Sequence, residues 1–494
     1  MRASPVPLET ANNRLPMPLF RRQVEEYGKK WKLIFVTVVM VFCFGDVHVY
    51  SSQTEQSERE TTIIRDVVND AFSLLINTSD QGAVDRSFLI LEAYWKAEFI
   101  PQLLEIMSVP LSEYTWRKTI ELLTSKTGQE FGTNLNGWYF WLWNEPEKSL
   151  SQYGNFKADL YEQIDPKFAK YFRERQSSAH VRFDEIRWGG VVQDGIPPLR
   201  DPEMIPASQA TYLKEGDIVF GIEIDDDARA YPKRILAWHE MFTDTIGGVD
   251  IAGVYCTLCG TIIPYLTSSG GVDYKLGTSG FLYRSNKLMY DQATQSLWST
   301  VRGEPVIGPL VGKGIALEHL SMVTTTWGEW RRRHPDTTVL SLNTGHRRDY
   351  GEGVAYQNYF ANDQLMFNTP FKDNRLANKQ EVLALIFPAL PDEQLAIDTE
   401  FLNKTPLYKD QVGQQKIVVL TDTTGANRVY DPQDYNFVSY DSDSTAVDSQ
   451  GNEWLVSEEK LLSPNHEAAL PRLPHRRAFW FGWHAAFPDT RLVY

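Results

Sequence analysis

The sequence predicts an α+β protein in which an N-terminal helical domain precedes a β-rich, internally duplicated body. Apolar residues recur at helical spacing over about residues 60–174, and short β-like runs replace them from Gly189 onward. Several sequence blocks of the region before residue 345 then recur after it, which indicates two related halves. The predicted domains are residues 51–185 (helical), 186–345 (first β-rich half) and 346–494 (second half, a degenerate repeat).

The helical prediction depends on the spacing of apolar residues in three stretches. TTIIRDVVNDAFSLLI (61–76), SFLILEAYWKAEFIPQLLEIM (87–107) and YTWRKTIELLTS (114–125) each place apolar residues three and four positions apart. Glycine and proline are sparse in this region. We expect the helices to form a structural cap on the domain that follows.

The N-terminus predicts export or membrane anchoring. Five basic residues, Arg21, Arg22, Lys29, Lys30 and Lys32, precede the apolar run LIFVTVVMVFCF. A dozen apolar residues are short for a spanning helix, which needs about 20, and match the central region of a secretory signal. Residues 1–30 are therefore predicted to be a cytoplasmic tail, and residues 31–50 a cleaved signal peptide or an uncleaved signal anchor. A buried soluble helix is the remaining interpretation.

Either form of export places the folded part in the cell envelope, on the periplasmic or extracellular side, with a membrane contact if the segment stays uncleaved. The net charge of -15 argues against a nucleic-acid partner, because phosphate binding needs clustered Lys and Arg. Of three cysteines, Cys43 lies in the apolar run, which leaves Cys256 and Cys259 in the folded part. No disulfide framework is therefore expected.

The repeated blocks separate structural residues from candidate functional ones. TTTWGEWRRRHPDTTVL (324–340) aligns with RAFWFGWHAAFPDTRLVY (477–494), and both keep W-x-x-W followed by Pro-Asp-Thr at the same spacing. We expect that block to close the core of each half. VYCTLCGTIIPY (254–265) aligns with VLTDTTGANRVY (419–430), so Cys256 and Cys259 fall on Thr421 and Thr424. A feature found in only one of two similar frameworks is the better candidate for function.

Several of these motifs also carry a family resemblance. YPKRILAWHEMFTDTIGG, YCTLCGT, SGFLYRSNKLMYDQATQSLWS and FWFGWHAAFPDT resemble a bacterial family, domain of unknown function 3179, over about residues 186–494. The resemblance implies an exported bacterial protein and a shared domain, and it implies no reaction. Family members often have Pro after the first Cys, where this chain has Thr257.

The Cys-X-X-Cys turn predicts a transition-metal site. Such a turn brings two sulfurs to one point, where they bind one metal ion or form one disulfide. A metal site needs further ligands, and His239 is the first choice because it lies a short way upstream of Cys256. Met289 is a soft ligand if the metal is copper. The predicted site is Cys256, Cys259, His239 and Met289, with copper or zinc as the cofactor.

Two other interpretations of the turn remain open. The cysteines could form a thiol–disulfide redox pair, although the flanking residues predict strands, and thioredoxin-type pairs lie at a helix N-terminus. They could also form a structural disulfide in a non-catalytic scaffold that binds a protein partner or glycan through aromatic residues. The sequence assigns no catalytic residue, no substrate and no identified small-molecule or protein partner.

Overall fold

The computed structural model describes residues 50–146, 152–465 and 467–494. The chain divides into two compact units, residues 1–66 and 67–494, and the fold and the site below belong to the second. The predicted tail and nearly all of the predicted signal segment lie outside the described residues. Within the described ranges, no helix is both long enough and apolar enough to cross a membrane.

The predicted helical N-terminal region is confirmed. Its helices are α1 (Tyr50–Asn77), α2 (Gln81–Ala93), α3 (Ile100–Met107), α4 (Glu113–Thr127), α5 (Leu135–Asn144), α6 (Tyr153–Glu162) and α7 (Ala169–Phe172). Polar side chains begin several of them: Asp80 caps α2 and Ser112 caps α4 by accepting backbone N–H groups of the first turn. Gly128 ends α4 with a left-handed φ of 71°.

A buried charged cluster joins this helical region to the β-rich body. Glu105 of α3 pairs with Lys157 of α6, and both side chains are fully buried. Tyr153 donates a hydrogen bond of 2.7 Å to the Glu105 carboxylate. The Lys157 ammonium also donates to the carbonyl of Ile186, where the first strand begins, at 2.7 Å. A buried pair of this kind is tolerated because each charge is hydrogen-bonded on several sides.

The β-rich body is likewise confirmed. The elements before residue 345 are β1 (Ile186–Trp188), β2 (Leu199–Arg200), β3 (Met204–Pro206), β4 (Ile218–Ile224), β5 (Asp227–Pro232), α8 (Lys233–His239), β6 (Met241–Ile246), β7 (Val249–Cys256), β8 (Thr261–Leu266), β9 (Ser268–Ser269), β10 (Val272–Asp273), β11 (Leu276–Tyr283), β12 (Asn286–Asp291), β13 (Leu297–Ser299), β14 (Glu304–Ile307), β15 (Val323–Thr326), α9 (Trp327–Arg333) and β16 (Thr338–Leu340).

The elements after residue 345 follow a similar succession. They are α10 (Gln357–Phe360), β17 (Glu381–Phe387), β18 (Leu390–Asp398), α11 (Thr399–Lys404), β19 (Leu407–Val412), β20 (Gln415–Thr421), β21 (Asn427–Tyr430), β22 (Phe437–Tyr440), β23 (Thr445–Asp448), β24 (Glu453–Val456), β25 (Lys460–Leu462), β26 (Ala469–Pro471), β27 (Arg476–Phe479), α12 (Trp480–Ala486) and β28 (Arg491–Val493).

Corresponding sheets of the two regions share strand order and direction. One sheet has the order β15-β4-β5-β16-β3 and its counterpart β27-β17-β18-β28. In both sheets the first three strands are antiparallel to one another. The fourth strand follows the helix that carries the W-x-x-W motif, α9 or α12, which we call the tryptophan helix. This fourth strand runs parallel to its neighbour. Antiparallel meanders β6-β7-β8 and β19-β20-β21 also correspond, as do β11-β12-β13-β14 and β22-β23-β24-β25.

The W-x-x-W and Pro-Asp-Thr block closes each core through the same hydrogen bond. The indole Nε1 of Trp330 donates to Oγ1 of Thr337 at 2.8 Å, and that of Trp483 donates to Thr490 at 3.0 Å. Both tryptophans are almost fully buried. A buried indole N–H needs a partner, so the threonine holds the ring in place while it also starts the final strand.

The two regions pack their tryptophan helices against each other's hairpin turns. The N–H of Phe479, just before α12, donates to the carbonyl of Cys259 in the β7–β8 turn at 2.7 Å. In the reciprocal position, Ala426 of the β20–β21 turn packs in one apolar cluster with Trp327 and Trp330 of α9. Each turn is therefore covered by a helix from the other region.

We expect Gly221→Ala to destabilise the protein strongly. A Cβ at Gly221 of β4 would lie 2.2 Å from the Trp330 ring, so the buried indole would have to move. Overpacking of this kind costs about 1–3 kcal/mol or more in the free energy of unfolding. Urea unfolding followed by circular dichroism measures the change.

Gly216→Ala is the matched control, because its added Cβ meets no atom within 4 Å. We expect its unfolding midpoint to stay close to that of the wild type. Equal midpoints for Gly221→Ala and the wild type would show that the tryptophan contact does not constrain β4.

Candidate functional site

The two cysteines stand at the turn of the β7–β8 hairpin. Cys256 pairs with Thr261 as the last residues of the ladder, and the N–H of Cys259 donates to the carbonyl of Cys256 at 3.1 Å. Gly260 follows with φ 62°, a left-handed conformation that glycine adopts without steric cost. The turn therefore places both cysteine side chains on the same side of the hairpin, where they face the second half of the body.

The two sulfurs lie in contact and away from water. Their Sγ atoms are 2.8 Å apart, and Cys256 and Cys259 are 4% and 0% exposed. The Cys259 thiol is also 3.2 Å from the carbonyl oxygen of Ser285, which accepts its proton when both thiols are neutral. Both cysteines are free thiols. Little movement is needed to bring the sulfurs to bonding distance, which is about 2.05 Å.

The surroundings make the two thiols chemically unequal. Burial opposes ionisation of Cys256, but the hydrogen bond with the Cys259 thiol and the backbone N–H groups of Lys287 and Cys259 lower its pKa. Burial raises the pKa of Cys259 well above its usual value, and the charge on Cys256 raises it further. Cys256 is therefore the thiol that ionises first, while Cys259 keeps its proton and donates it to the thiolate.

A buried ion pair lies next to the thiols. Lys287 Nζ is 2.9 Å from Glu240 Oε2, and both side chains are nearly buried. The negative charge of Glu240 raises the pKa of both thiols and so opposes premature ionisation. Lys287 acts in the other direction through its backbone N–H, which points at the Cys256 sulfur. The pair provides a polar group inside an otherwise apolar pocket.

Aromatic and aliphatic side chains from distant segments cover the thiols. The buried members of this cover are Leu258, Leu282, Tyr359, Phe479 and Phe481, and the half-buried members are Tyr356, Phe360, Leu365 and Phe367. Tyr359 fixes the cover to the turn, since its hydroxyl donates to the Leu258 carbonyl at 2.8 Å. Helix α12 approaches so closely that a Cβ at Gly482 would lie 3.1 Å from Cβ of Cys259. We call this set of residues, with the two cysteines, the dithiol cluster.

Four non-glycine residues with left-handed backbone conformations surround the dithiol cluster. Glu240 has φ 55°, Arg284 has φ 47°, Ser285 has φ 64° and Tyr356 has φ 56°. Arg284 and Ser285 form the two-residue turn of the β11–β12 hairpin and Glu240 ends α8, positions at which left-handed conformations are usual. The hairpin turn places the Ser285 carbonyl oxygen 3.2 Å from the Cys259 sulfur.

The corresponding turn of the second half satisfies its own polar groups. Asp422 Oδ1 accepts from the N–H groups of Thr424 and Ala426 at 2.9 and 3.0 Å, and Oδ2 pairs with Arg428 at 2.8 Å. In the first half the aligned residue is Thr257, whose buried hydroxyl has no hydrogen-bond partner. The second turn is thus stabilised by local hydrogen bonds, whereas the first is organised around two thiols.

The structure brings Cys256 and Cys259 together but does not bring the other two predicted ligands to them. His239 uses both ring nitrogens elsewhere: Nδ1 lies 2.9 Å from the Pro197 carbonyl and Nε2 lies 2.6 Å from the Tyr350 hydroxyl. Burial lowers the pKa of His239 to about 4, so the ring is neutral at pH 7.

Met289 packs in a separate apolar cluster, paired with Trp298 across the β12–β13 ladder. In the described part of the chain, no three His, Cys, Asp or Glu side chains converge as a metal-binding group. The residues that do surround the sulfurs, Glu240, Lys287 and Tyr359, were not predicted as members of the site. They come from distant segments, which only the folding of the chain brings together.

We expect Cys259→Ala to slow alkylation of Cys256 by iodoacetamide at pH 7, in a Cys43→Ser background. Loss of the S–H donor raises the pKa of Cys256. Each unit of increase in this pKa lowers the concentration of the thiolate, the form that reacts, about tenfold. Because the pKa of Cys256 is lowered in the wild type, its labelling persists below pH 8.5, the ordinary pKa of a cysteine. Intact-mass measurement against time gives the rate.

Cys259→Ser is the matched control, since its hydroxyl still donates to the Cys256 sulfur. Its labelling rate should stay within about threefold of the wild-type rate, because a hydroxyl is at least as good a donor as a thiol. Equal rates in the Ala and Ser variants would contradict the assignment of Cys259 as the donor.

Comparison with known proteins places the chain in a family without giving it a function. Neither the curated proteins nor the solved structures include a match. A family model described as "Protein of unknown function (DUF3179)" matches residues 193–490, which include both halves of the body and the dithiol cluster. The match covers more than half of the chain, and it confirms the resemblance that the sequence motifs indicated. The protein therefore belongs to the DUF3179 family.

Proposed function

We propose that Cys256 and Cys259 form a thiol–disulfide redox pair and that the protein is a thiol–disulfide oxidoreductase. The observation that carries the proposal is the contact of two buried sulfurs 2.8 Å apart with oppositely shifted pKa values. A dithiol that exchanges with disulfides needs one thiolate to attack and a neighbouring thiol to resolve the product. Cys256 fits the first role and Cys259 the second.

The proposed reaction oxidises the dithiol and reduces a substrate disulfide. The Cys256 thiolate attacks one substrate sulfur, the substrate S–S bond breaks, and the leaving thiolate takes up a proton. Cys259 then gives up its proton, and its sulfur attacks the Cys256 sulfur of the mixed disulfide. The second substrate thiol leaves and the Cys256–Cys259 bond forms. Two electrons and two protons pass from the protein to the substrate, and the reverse sequence oxidises two thiols.

A redox pair accounts for features that a structural disulfide leaves unexplained. A structural cross-link needs no backbone amides aimed at one sulfur, and its short loop adds little stability. The predicted metal site remains a second hypothesis. It would require His239 to give up the two hydrogen bonds that its ring makes with Pro197 and Tyr350.

We also propose that the body arose by internal duplication and that function was added to one copy. The proposal is supported by the matching strand order and direction and by the tryptophan–threonine hydrogen bond that recurs. A second pair agrees: the indoles of Trp298 and Trp454 donate to Asp291 and Asp448 at 3.1 and 3.0 Å.

We further propose that the folded part acts outside the cytoplasm, after export directed by residues 31–50. The basic residues before the apolar run and the thiol chemistry of the site support this location, since protein disulfides form and persist in oxidising compartments. A fusion to alkaline phosphatase after residue 185, assayed in a bacterial host, tests it.

We expect reversible oxidation of two of the three thiols. Reduced protein should give three thiols per chain under denaturing conditions, and protein equilibrated with oxidised glutathione should give one, that of Cys43. Dithiothreitol should restore all three. Cys256→Ser should give two thiols before oxidation, and we expect no intramolecular disulfide to form in it. Cys43→Ser is the control that keeps the redox change.

Metal analysis of protein purified under reducing conditions separates the competing hypotheses. Stoichiometric copper or zinc that is lost in Cys256→Ser would overturn the redox proposal in favour of the metal site. A disulfide that millimolar dithiothreitol fails to reduce in the folded protein would favour the structural cross-link.

A further inference from the structure

A groove between the first half and the segment that directly follows it shares a wall residue with the dithiol cluster. The groove has a volume of about 620 Å³. Its apolar lining comes from the stretch before β2 and from the end of α8, through Ile196, Pro197 and Trp238. Tyr356 forms part of the opposite wall and also packs against the buried cluster that contains Cys256. The tyrosine therefore stands between the groove and the thiols.

Tyr356 is held in this position by contacts that one side-chain rotation would break. Its hydroxyl lies 3.4 Å from Glu240 Oε1, a long hydrogen bond, and its ring is only half-buried. Burial raises the pKa of Tyr356, and the charges of Glu240 and Cys256 raise it further. The ring packs against the dithiol cluster. Tyr356 lies outside the strands, so rotation of its side chain would break no strand pairing.

The rim of the groove carries positive charge in an acidic protein. Arg347 and Arg348 are exposed, and among the described residues neither guanidinium forms an ion pair with a carboxylate. The acidic rim residue Asp349 offsets one of the two positive charges, so the rim keeps an excess of positive charge. The chain as a whole has a net charge of -15, so this rim is a local reversal of sign. Arg348 also donates to the Arg347 carbonyl at 3.1 Å and lies over the Trp238 ring, and a guanidinium without a carboxylate partner favours carboxylates as ligands.

The burial of the thiols limits the size of a substrate. A disulfide held in a folded protein is flanked by backbone and could not pass a gap as wide as one tyrosine ring. The groove has the volume of a small-molecule site, which is about 300–1,000 Å³, and its lining is mostly apolar with few polar groups. A slender molecule with a central S–S bond and charged ends fits these constraints.

We propose that the groove binds a low-molecular-weight disulfide bearing carboxylates, with Arg347 and Arg348 holding the carboxylates and Tyr356 moving aside to admit the S–S bond. This inference rests on the proposed redox function and adds a substrate class to it. The reaction balances as above: the protein dithiol becomes a disulfide, and the substrate becomes two thiols that carry the two protons.

Three disulfides of similar length and different charge test the substrate class. Reduced Cys43→Ser protein is mixed at low salt with dithiodipropionate (two negative charges), hydroxyethyl disulfide (neutral) or cystamine (two positive charges). The oxidation rate of the protein with each compound is measured as the loss of free thiol. It is then divided by the rate at which the same compound oxidises dithiothreitol, and this ratio is the corrected rate. We expect the corrected rate with dithiodipropionate to exceed that with cystamine by about tenfold or more, and 0.5 M salt to reduce this preference.

Arg347→Gln combined with Arg348→Gln should bring the three corrected rates to within about twofold of one another, because the attraction is removed. Arg331→Gln combined with Arg332→Gln is the matched control, since it changes the net charge equally on helix α9, which does not line the groove. The control should keep the preference for the anion. Tyr356→Ala should raise all three rates while keeping their order.

The outcomes distinguish the two levels of the proposal. Equal corrected rates for the three disulfides in the wild type, or a preference that survives in the Arg347 and Arg348 variant, would overturn the substrate class and leave the redox function standing. No oxidation by any of the three, with the thiols intact, would overturn the redox function itself. An unchanged rate in a folded Tyr356→Ala protein would overturn the assignment of Tyr356 as the gate.

Discussion

The reciprocal packing of each tryptophan helix on the other half's hairpin turn is the constraint on which the site depends. At the first turn the approach is so close that the main chain before α12 hydrogen-bonds to Cys259, and a Cβ at position 482 would lie 3.1 Å from the Cys259 Cβ. This contact removes the turn from water on the side that the hairpin itself leaves open. Any group placed there is buried, and a buried polar group must find partners within the protein.

The two turns meet that requirement in opposite ways. Asp422 uses its own carboxylate to accept the backbone N–H groups of its turn, which yields a rigid structural corner. At Cys256, burial opposes ionisation, but hydrogen bonds from the Cys259 thiol and from the Lys287 backbone lower the pKa of the thiol. Burial alone can raise the pKa of such a group by about 3–5 units. The backbone N–H of Lys287 and the thiol of Cys259 outweigh it, because hydrogen bonds to a charged acceptor are strong in a medium of low polarity.

The site is therefore an assembly of long-range contacts around a local motif. Glu240 and Lys287 are 47 positions apart, and the Tyr359 hydroxyl reaches a carbonyl 101 positions away. No periodicity or spacing in the sequence relates these residues to the turn. Glu240 precedes β6, Lys287 lies in β12 of another sheet and Tyr359 lies in α10, so the packing of separate elements brings them to the same two sulfurs. The prediction of His239 as a ligand used nearness in sequence, but the ring faces Pro197 and Tyr350.

The sequence by itself determined the order of a helical region and a β-rich body, the location of the dithiol and the family. Local patterns in the sequence predict those features, namely the spacing of apolar residues, the turn residues and the short motifs. Tertiary structure alone decided which thiol has the lower pKa, what covers the two thiols and which groove lies beside their cover. These properties depend on burial and on hydrogen bonds between segments that are remote in sequence, and such contacts exist only when the chain is folded. The Cys-X-X-Cys motif predicted where the chemistry lies, and the fold decided that the Ser285 carbonyl, the Lys287 backbone and the Glu240 charge act on its sulfurs.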